Sequence, residues 1–376
     1  VTAARARRIA VLELLVSSQL GGGPAHVEAL VRHLDPAEFA VTVGAPAGGP
    51  FLERFRTAGA DVVEIAADRL SPRTLTRVGR LIRARGAAVV HSHGKGAGLY
   101  GRLAARRAGA AAVHTFHGLH YAGYPPGARA IYLALERVLA RRSHTVIHVS
   151  ASQAAAARPL GLAPADRSRV ILNGVDTARL EANALPRERA RAELGVPPEG
   201  AVLGTVARFD PVKALEVLLE ALPRVPGATL VLIGDGPEAA PLRARARGLG
   251  LEARVVFAGA RLEAARWFAA LDAYVSASRG EGLPLALVEA MATGLPVIAS
   301  RVSGHVDTVT DGETGVLVPV DDPAALAAAA AALLADPARA RALGAAGRAR
   351  ARRDFSVDRM AAEVAEVYRR AAAATV

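Results

Sequence analysis

Two carboxylates eight positions apart, Glu281 and Glu289, stand in "SRGEGLPLALVEAMATGLPVIAS" (278–300). From Gly282 to Ser300, Glu289 is the only charged residue. A carboxylate inside so apolar a helix costs on the order of several kcal/mol unless donors meet it. The hydroxyl pair of a ribose or another sugar would serve, and so would an internal arginine. Pro284 suits a first helical turn and Gly294 lies just beyond the last, which predicts a buried helix over 284–293. Its N-terminus, after "GEGL", can hold an anion through the backbone N–H groups of Leu283 and Leu285.

Cations occur at a matching place. "VARFDPVKALEVLLEAL" puts Arg208 after a predicted strand and Lys213 at a helix start, a spacing that suits a diphosphate or a pair of solvated surface charges. Lys213 and Lys95 are the only lysines among 47 basic residues. "LIGDGPE" places Gly234 and Gly236 in a strand-to-helix turn open to close backbone approach, and Arg261 follows another strand. Near the start, Gly21, Gly22 and Gly23 lead into a helix opening near Pro24, where free N–H groups suit a phosphate, although the G-x-G-x-x-G spacing is unmet. Seven of the ten histidines lie between His91 and His148. His91/His93 and His114/His117/His120 have zinc-like spacings, but neither cluster contains a carboxylate, so no metal is expected. His93 and His117 are expected at strand ends, where imidazole can hydrogen-bond a sugar or phosphate. Tyr121, Gly123, Tyr124 and Pro125 form a loop suited to a saccharide contact or a simple lid.

Composition narrows the classes. The 376 residues are 52% hydrophobic but only 4% aromatic, so the cores rest on Ala, Val and Leu. The absence of Cys excludes disulfides, thiolate metal sites and a Cys nucleophile. No apolar run reaches the roughly 18–20 residues that span a bilayer, and no signal peptide is visible, so a cytoplasmic protein is expected. The net charge of +12 is uneven: residues 1–180 carry 24 basic and 11 acidic residues, against 23 and 24 in residues 181–376. The basic half is compatible with Arg-rich codon bias or with an anionic surface, such as the inner face of the membrane. No nucleic-acid motif accompanies it.

Short β-rich runs alternate with helical ones throughout, which predicts α/β architecture with two consecutive doubly wound units. The break is placed in 181–200, rich in Pro, Glu and Arg. The tail reads as an amphipathic helix with Met360, Val364, Val367 and Tyr368 on one face. The domains expected are therefore 1–182 and 183–355, with a final helix over 356–376.

These motifs, in this order, resemble the family-4 glycosyltransferases of the GT-B fold: the Gly-rich first loop, "TFHG" (115–118), "LNGVD" (172–176), Arg208 with Lys213, "IGDGP" (233–237) and the Glu281/Glu289 pair. The resemblance implies two Rossmann-like domains facing a central cleft, with the C-terminal helix crossing back to the first. It implies that the second domain binds a nucleotide sugar, most often a UDP-sugar. Arg208 and Lys213 would neutralise the diphosphate, with Gly22 and Gly23 assisting. Glu289 would accept from the ribose, Glu281 would hold the transferred sugar near the Gly282–Leu283 backbone, His117 would lie beside that sugar, and Arg261 would border the base. Transfer would retain anomeric configuration by front-face displacement, with no metal and no cofactor beyond the donor. A metal-free site is consistent with the lack of any D-x-D. Arg279, where the family is usually Gly-rich, would favour an acidic sugar or acceptor phosphate if it pointed inward. The acceptor would be a lipid-linked or cell-surface glycan precursor, or a soluble small molecule. An epimerase of the same fold and a non-catalytic nucleotide-sugar binder are the other classes.

Overall fold

The computed structural model describes residues 8–68, 71–119, 121 and 124–375. His120 and Gly123 lie outside the described residues. The chain forms two compact units: Val1–Gly174 with Val357–Val376, and Val175–Ser356.

The first unit is built on a seven-stranded parallel sheet of β1 (Ile9–Leu15), β2 (Phe39–Ala45), β3 (Asp61–Glu64), β4 (Val89–His93), β5 (Ala111–Phe116), β6 (Thr145–His148) and β7 (Ser168–Val170), in the order β3-β2-β1-β4-β5-β6-β7. The second carries a six-stranded parallel sheet of β8 (Val202–Val206), β9 (Thr229–Ile233), β10 (Val255–Gly259), β11 (Ala273–Ser276), β12 (Val297–Ser300) and β13 (Val316–Val318), in the order β10-β9-β8-β11-β12-β13. Both are Rossmann-like. Central strands such as β9, buried along their whole length, read as continuous apolar runs because helices cover both faces. Strand order reverses between β1 and β4 and between β8 and β11, and crevices at such points are where open α/β sheets bind ligands. The Gly-rich loop follows β1, His93 ends β4 and His117 follows β5. Arg208 and the Glu281 loop follow β8 and β11.

The division falls at Gly174/Val175, not at 182/183. The helix Thr177–Asn183 belongs to the second unit because Arg179 pairs with Glu263, and Glu181 takes Arg348 (2.8 Å) and Arg352. The stretch expected as a linker contains the helix Arg187–Leu194, started after Pro186 and ended by left-handed Gly195. Arg191 ties it down by donating to Ala270 O (3.2 Å) and Asp272 (3.1 Å). Periodicity also misses the helix Pro337–Asp354, whose Ala and Arg residues favour helix without a strong apolar stripe. The final helix, Val357–Ala373, buries Met360, Val364, Val367 and Tyr368 against Leu30, Phe39 and Val113 of the first unit.

Candidate active site

In the second unit the chain leaves β8 at Arg208 and makes a short 3-10 turn, Pro211–Lys213. Ala214 follows at φ 48°, a left-handed conformation that is costly for a residue with a Cβ. Lys213 Nζ lies 2.6 Å from Glu281 Oε1, and the Ser278 hydroxyl donates to the same oxygen at 2.7 Å. Burial pushes the Glu281 carboxyl upward, but Lys213, His305 and Ser278 more than offset it and leave it below the usual range. Gly304 (φ 81°) brings the following loop against this one: a Cβ there would come 2.6 Å from Gly282 O and 3.0 Å from Glu281 Cβ. His305 is buried, with Nδ1 2.7 Å from Ser300 O and Nε2 3.2 Å from Ser276 Oγ. Sequence reading missed Gly304 and His305, although His305 is the lone histidine of the second half.

Glu289 stands on the helix Leu285–Ala292, with Pro284 as its N-cap rather than its first residue. It is half-buried, and no hydrogen-bond or ion-pair partner meets its carboxylate among the described residues. Burial alone raises its pKa to about 7. The internal arginine considered as its partner is therefore not found among them.

The other expected residues fare differently. Arg208 is exposed and pairs with Asp210 at 3.2 Å, so each expected diphosphate cation here sits on a carboxylate of its own. Arg261 lies over the Trp267 ring, 4.7 Å from its centroid, and donates to Ala258 O at 3.3 Å. Gly234 is required by the chain itself, because a Cβ there would come 1.8 Å from Ala207 O. Arg279 donates to Asp321 at 2.8 Å and Glu216 at 2.7 Å, bracing the loop from outside, so it offers no cation to an acidic sugar.

In the first unit the helix Gly22–His33 begins two residues earlier than expected. A Cβ on Gly23 would lie 3.9 Å from the His117 ring. His93 does not face outward: it is buried, with Nε2 2.8 Å from Glu13 Oε2 and Nδ1 2.9 Å from His117 Nε2. Parallel pairing of β1 with β4 sets Glu13 opposite His91. The histidine cluster thus contains a carboxylate after all, contributed from 80 residues away. Glu13 was legible as the one charge in "IAVLELLV" but was passed over. Tyr368 donates to Glu13 Oε1, and His91 Nδ1 lies 2.6 Å from the Tyr368 hydroxyl. Burial works to raise the Glu13 pKa, but His91 and His93 hold it well below the carboxylate range, whereas burial lowers His93 to about 4. Ligand atoms of His26, His93 and His117, and of Glu13, His91 and His93, fall within 4.8 Å of one another, a spacing a metal ion could bridge. Lys95 is held elsewhere, 4.1 Å above the Tyr124 ring.

The chain's likenesses agree with this geometry. The family described as "Glycosyl transferases group 1" matches residues 200–336, and "Glycosyltransferase Family 4" matches 20–179. The chain is 35% identical over 210 residues to the lipopolysaccharide core biosynthesis mannosyltransferase LpsB of Rhizobium meliloti, a match spanning 53% of this chain and 60% of that protein. It is 32% identical over 305 residues to the D-inositol 3-phosphate glycosyltransferase of Jonesia denitrificans, spanning 75% and 71%. Anabaena Alr3699/HepE, solved in complex with UDP and glucose, superposes with a TM-score of 0.85 over 96% of this chain and 99% of that one, at 24% identity, a likeness of fold. With the Glu281/Glu289 pair and Lys213 in place on the second of two Rossmann-like units, the chain belongs to glycosyltransferase family 4.

Proposed function

We propose that the protein is a retaining glycosyltransferase that moves a sugar from a nucleotide sugar, a UDP-sugar foremost, to a hydroxyl acceptor. The observation that carries this reading is the unpartnered, half-buried carboxylate of Glu289 beside the engaged carboxylate of Glu281. A ribose supplies two hydroxyl donors to Glu289, and the sugar at the far side of the diphosphate meets Glu281. Donor binding draws Lys213 from Glu281 to the phosphates, where Arg208 joins it. Cationic side chains then stabilise the departing phosphate in place of a metal. The phosphate takes the acceptor's proton as the new bond forms on the same face. His117 attends the reacting sugar, with Gly22 and Gly23 as backbone donors. Gly282 and Leu283 flank the sugar, and Gly234 and Arg261 border the nucleotide.

The acceptor is read as lipid-linked, at an anionic membrane surface. The helix Pro126–Arg142 buries Leu133 and Leu139 but turns Ile131, Leu135 and Val138 outward, with Ile131 73% exposed. Arg141 and Arg142 border that ridge, and a ridge of this composition fits the headgroup–acyl boundary of an anionic leaflet. No helix among the described residues is long and apolar enough to cross a membrane.

A thermal-shift screen of UDP- and GDP-sugars, then acceptor trials without divalent metal, tests the function. A nucleotide sugar is expected to raise the melting temperature and to donate its sugar with retention. Stabilisation by none, or interconversion of the donor without an acceptor, overturns it.

A further inference from the structure

We propose that Glu13 is a positioning residue that fixes, through His93, which ring nitrogen of His117 carries a proton. A carboxylate has no hydrogen to give, so His93 Nε2, 2.8 Å from Glu13 Oε2, must be the donor. His93 is neutral and its Nδ1 is therefore a bare lone pair. That lone pair lies 2.9 Å from His117 Nε2. Two bare nitrogens would repel at that separation, so His117 Nε2 carries the proton and donates inward.

The rest of the network leaves Glu13 no other state. The Tyr368 hydroxyl gives its one hydrogen to Glu13 Oε1, so it can only accept from His91 Nδ1 at 2.6 Å. The second nitrogen of His91 meets the Thr115 hydroxyl at 2.7 Å, and that hydroxyl rotates to suit. Both oxygens of Glu13 are met by donors, so the carboxylate needs no proton of its own, which is the condition for a buried polar network to be stable and single-valued. The rings are also fixed in plane: His26 packs edge-on against His117 with centroids 4.9 Å apart. With Nε2 committed to His93, His117 Nδ1 is left to accept rather than donate, and a sugar or acceptor hydroxyl that reached it would be the donor. This consequence rests on the glycosyltransferase reading; the relay itself does not.

The test is ring-nitrogen NMR on the full chain labelled with ¹⁵N-histidine and treated with EDTA, the resonances assigned with His93→Gln and His117→Gln. Protons on Nε2 of both His93 and His117 are expected in the wild type. Glu13→Leu removes the acceptor of the His93 Nε2–H, so the His93 proton is expected to move to Nδ1 and to force His117 into the Nδ1–H tautomer. Glu13→Gln, whose amide oxygen can still accept from His93, is the control; a mere filler role would leave both tautomers in place in Glu13→Leu as well. In Glu13→Leu turnover is expected to fall roughly tenfold or more while donor affinity stays unchanged, as for other catalytic imidazoles held in the wrong tautomer. A wild-type His93 protonated at Nδ1, or Glu13→Leu keeping both tautomers, overturns the relay. The wild-type spectrum decides even where the variant fails to fold. Correct tautomers in a protein that transfers no sugar would sink the enzymatic reading and leave the relay standing.

Discussion

Lys213 and Glu281 form a 2.6 Å ion pair, while Glu289, on the helix that follows, keeps a carboxylate that no described residue meets. One carboxylate is met by an internal cation and the other by no described residue. Lys213→Met leaves Glu281 largely buried without its cation, and a stability loss of about 1–3 kcal/mol is expected by urea denaturation. Adding Glu281→Gln should recover most of it, because the stranded charge is gone. Glu281 titrates below its ordinary value in the fold, so its contribution is present at neutral pH and fades as pH falls through that lowered value. The gap between wild type and Lys213→Met should therefore close in acid.

Glu289 gives the opposite sign. Its folded pKa is raised from 4.5 to about 7, so the native state holds the extra proton between those values. Stability should be highest relative to Glu289→Gln below pH 4.5 and should decline as pH rises through 7, by up to about 3 kcal/mol. Nucleotide affinity should run the other way, increasing with pH up to 7 as the acceptor carboxylate forms. Calorimetry in buffers of different ionisation enthalpy should detect proton release on binding, absent in Glu289→Gln. A pH-independent affinity in the wild type would remove Glu289 from the ribose.

Arg102 and Glu136 are paired inside the first unit at 2.7 Å, with both side chains almost inaccessible. Arg102→Met alone should cost about 3–5 kcal/mol, since it strands a buried carboxylate. Arg102→Met with Glu136→Leu should cost much less, and chemical denaturation of the three variants checks the order.

The outward ridge of the helix Pro126–Arg142 predicts co-sedimentation with phosphatidylglycerol vesicles at low salt and little with phosphatidylcholine. Serine at Ile131, Leu135 and Val138 together should reduce binding at least tenfold, with melting temperature nearly unchanged because these side chains are exposed. Equal binding by the triple variant would show that the ridge is not the contact.

Alternation of β-rich and helical runs was enough to place every strand but β7, a three-residue edge strand that is largely exposed and so carries no apolar run. The lone Glu289 was equally plain, since a single charge in an apolar run stands out wherever the helix packs. Arg279 shows where that kind of reading stops. Its type suggested a cation at the sugar, but partners 42 and 63 positions away hold it outside. Gly234 looked like room for a ligand, and the chain itself also needs that room, because a Cβ there would meet Ala207 O.

Residue types, loop order and the Glu281/Glu289 spacing were determined by the sequence alone, because each is written within one strand-loop-helix segment. Which charges are engaged and which stay without a partner among the described residues was decided only by the tertiary structure. Parallel strand pairing brings Glu13 to His93, and a turn at Ala214 sets Lys213 on Glu281. Partners so distant in the chain leave no periodic trace in it, and at these sites they determine which group carries the proton.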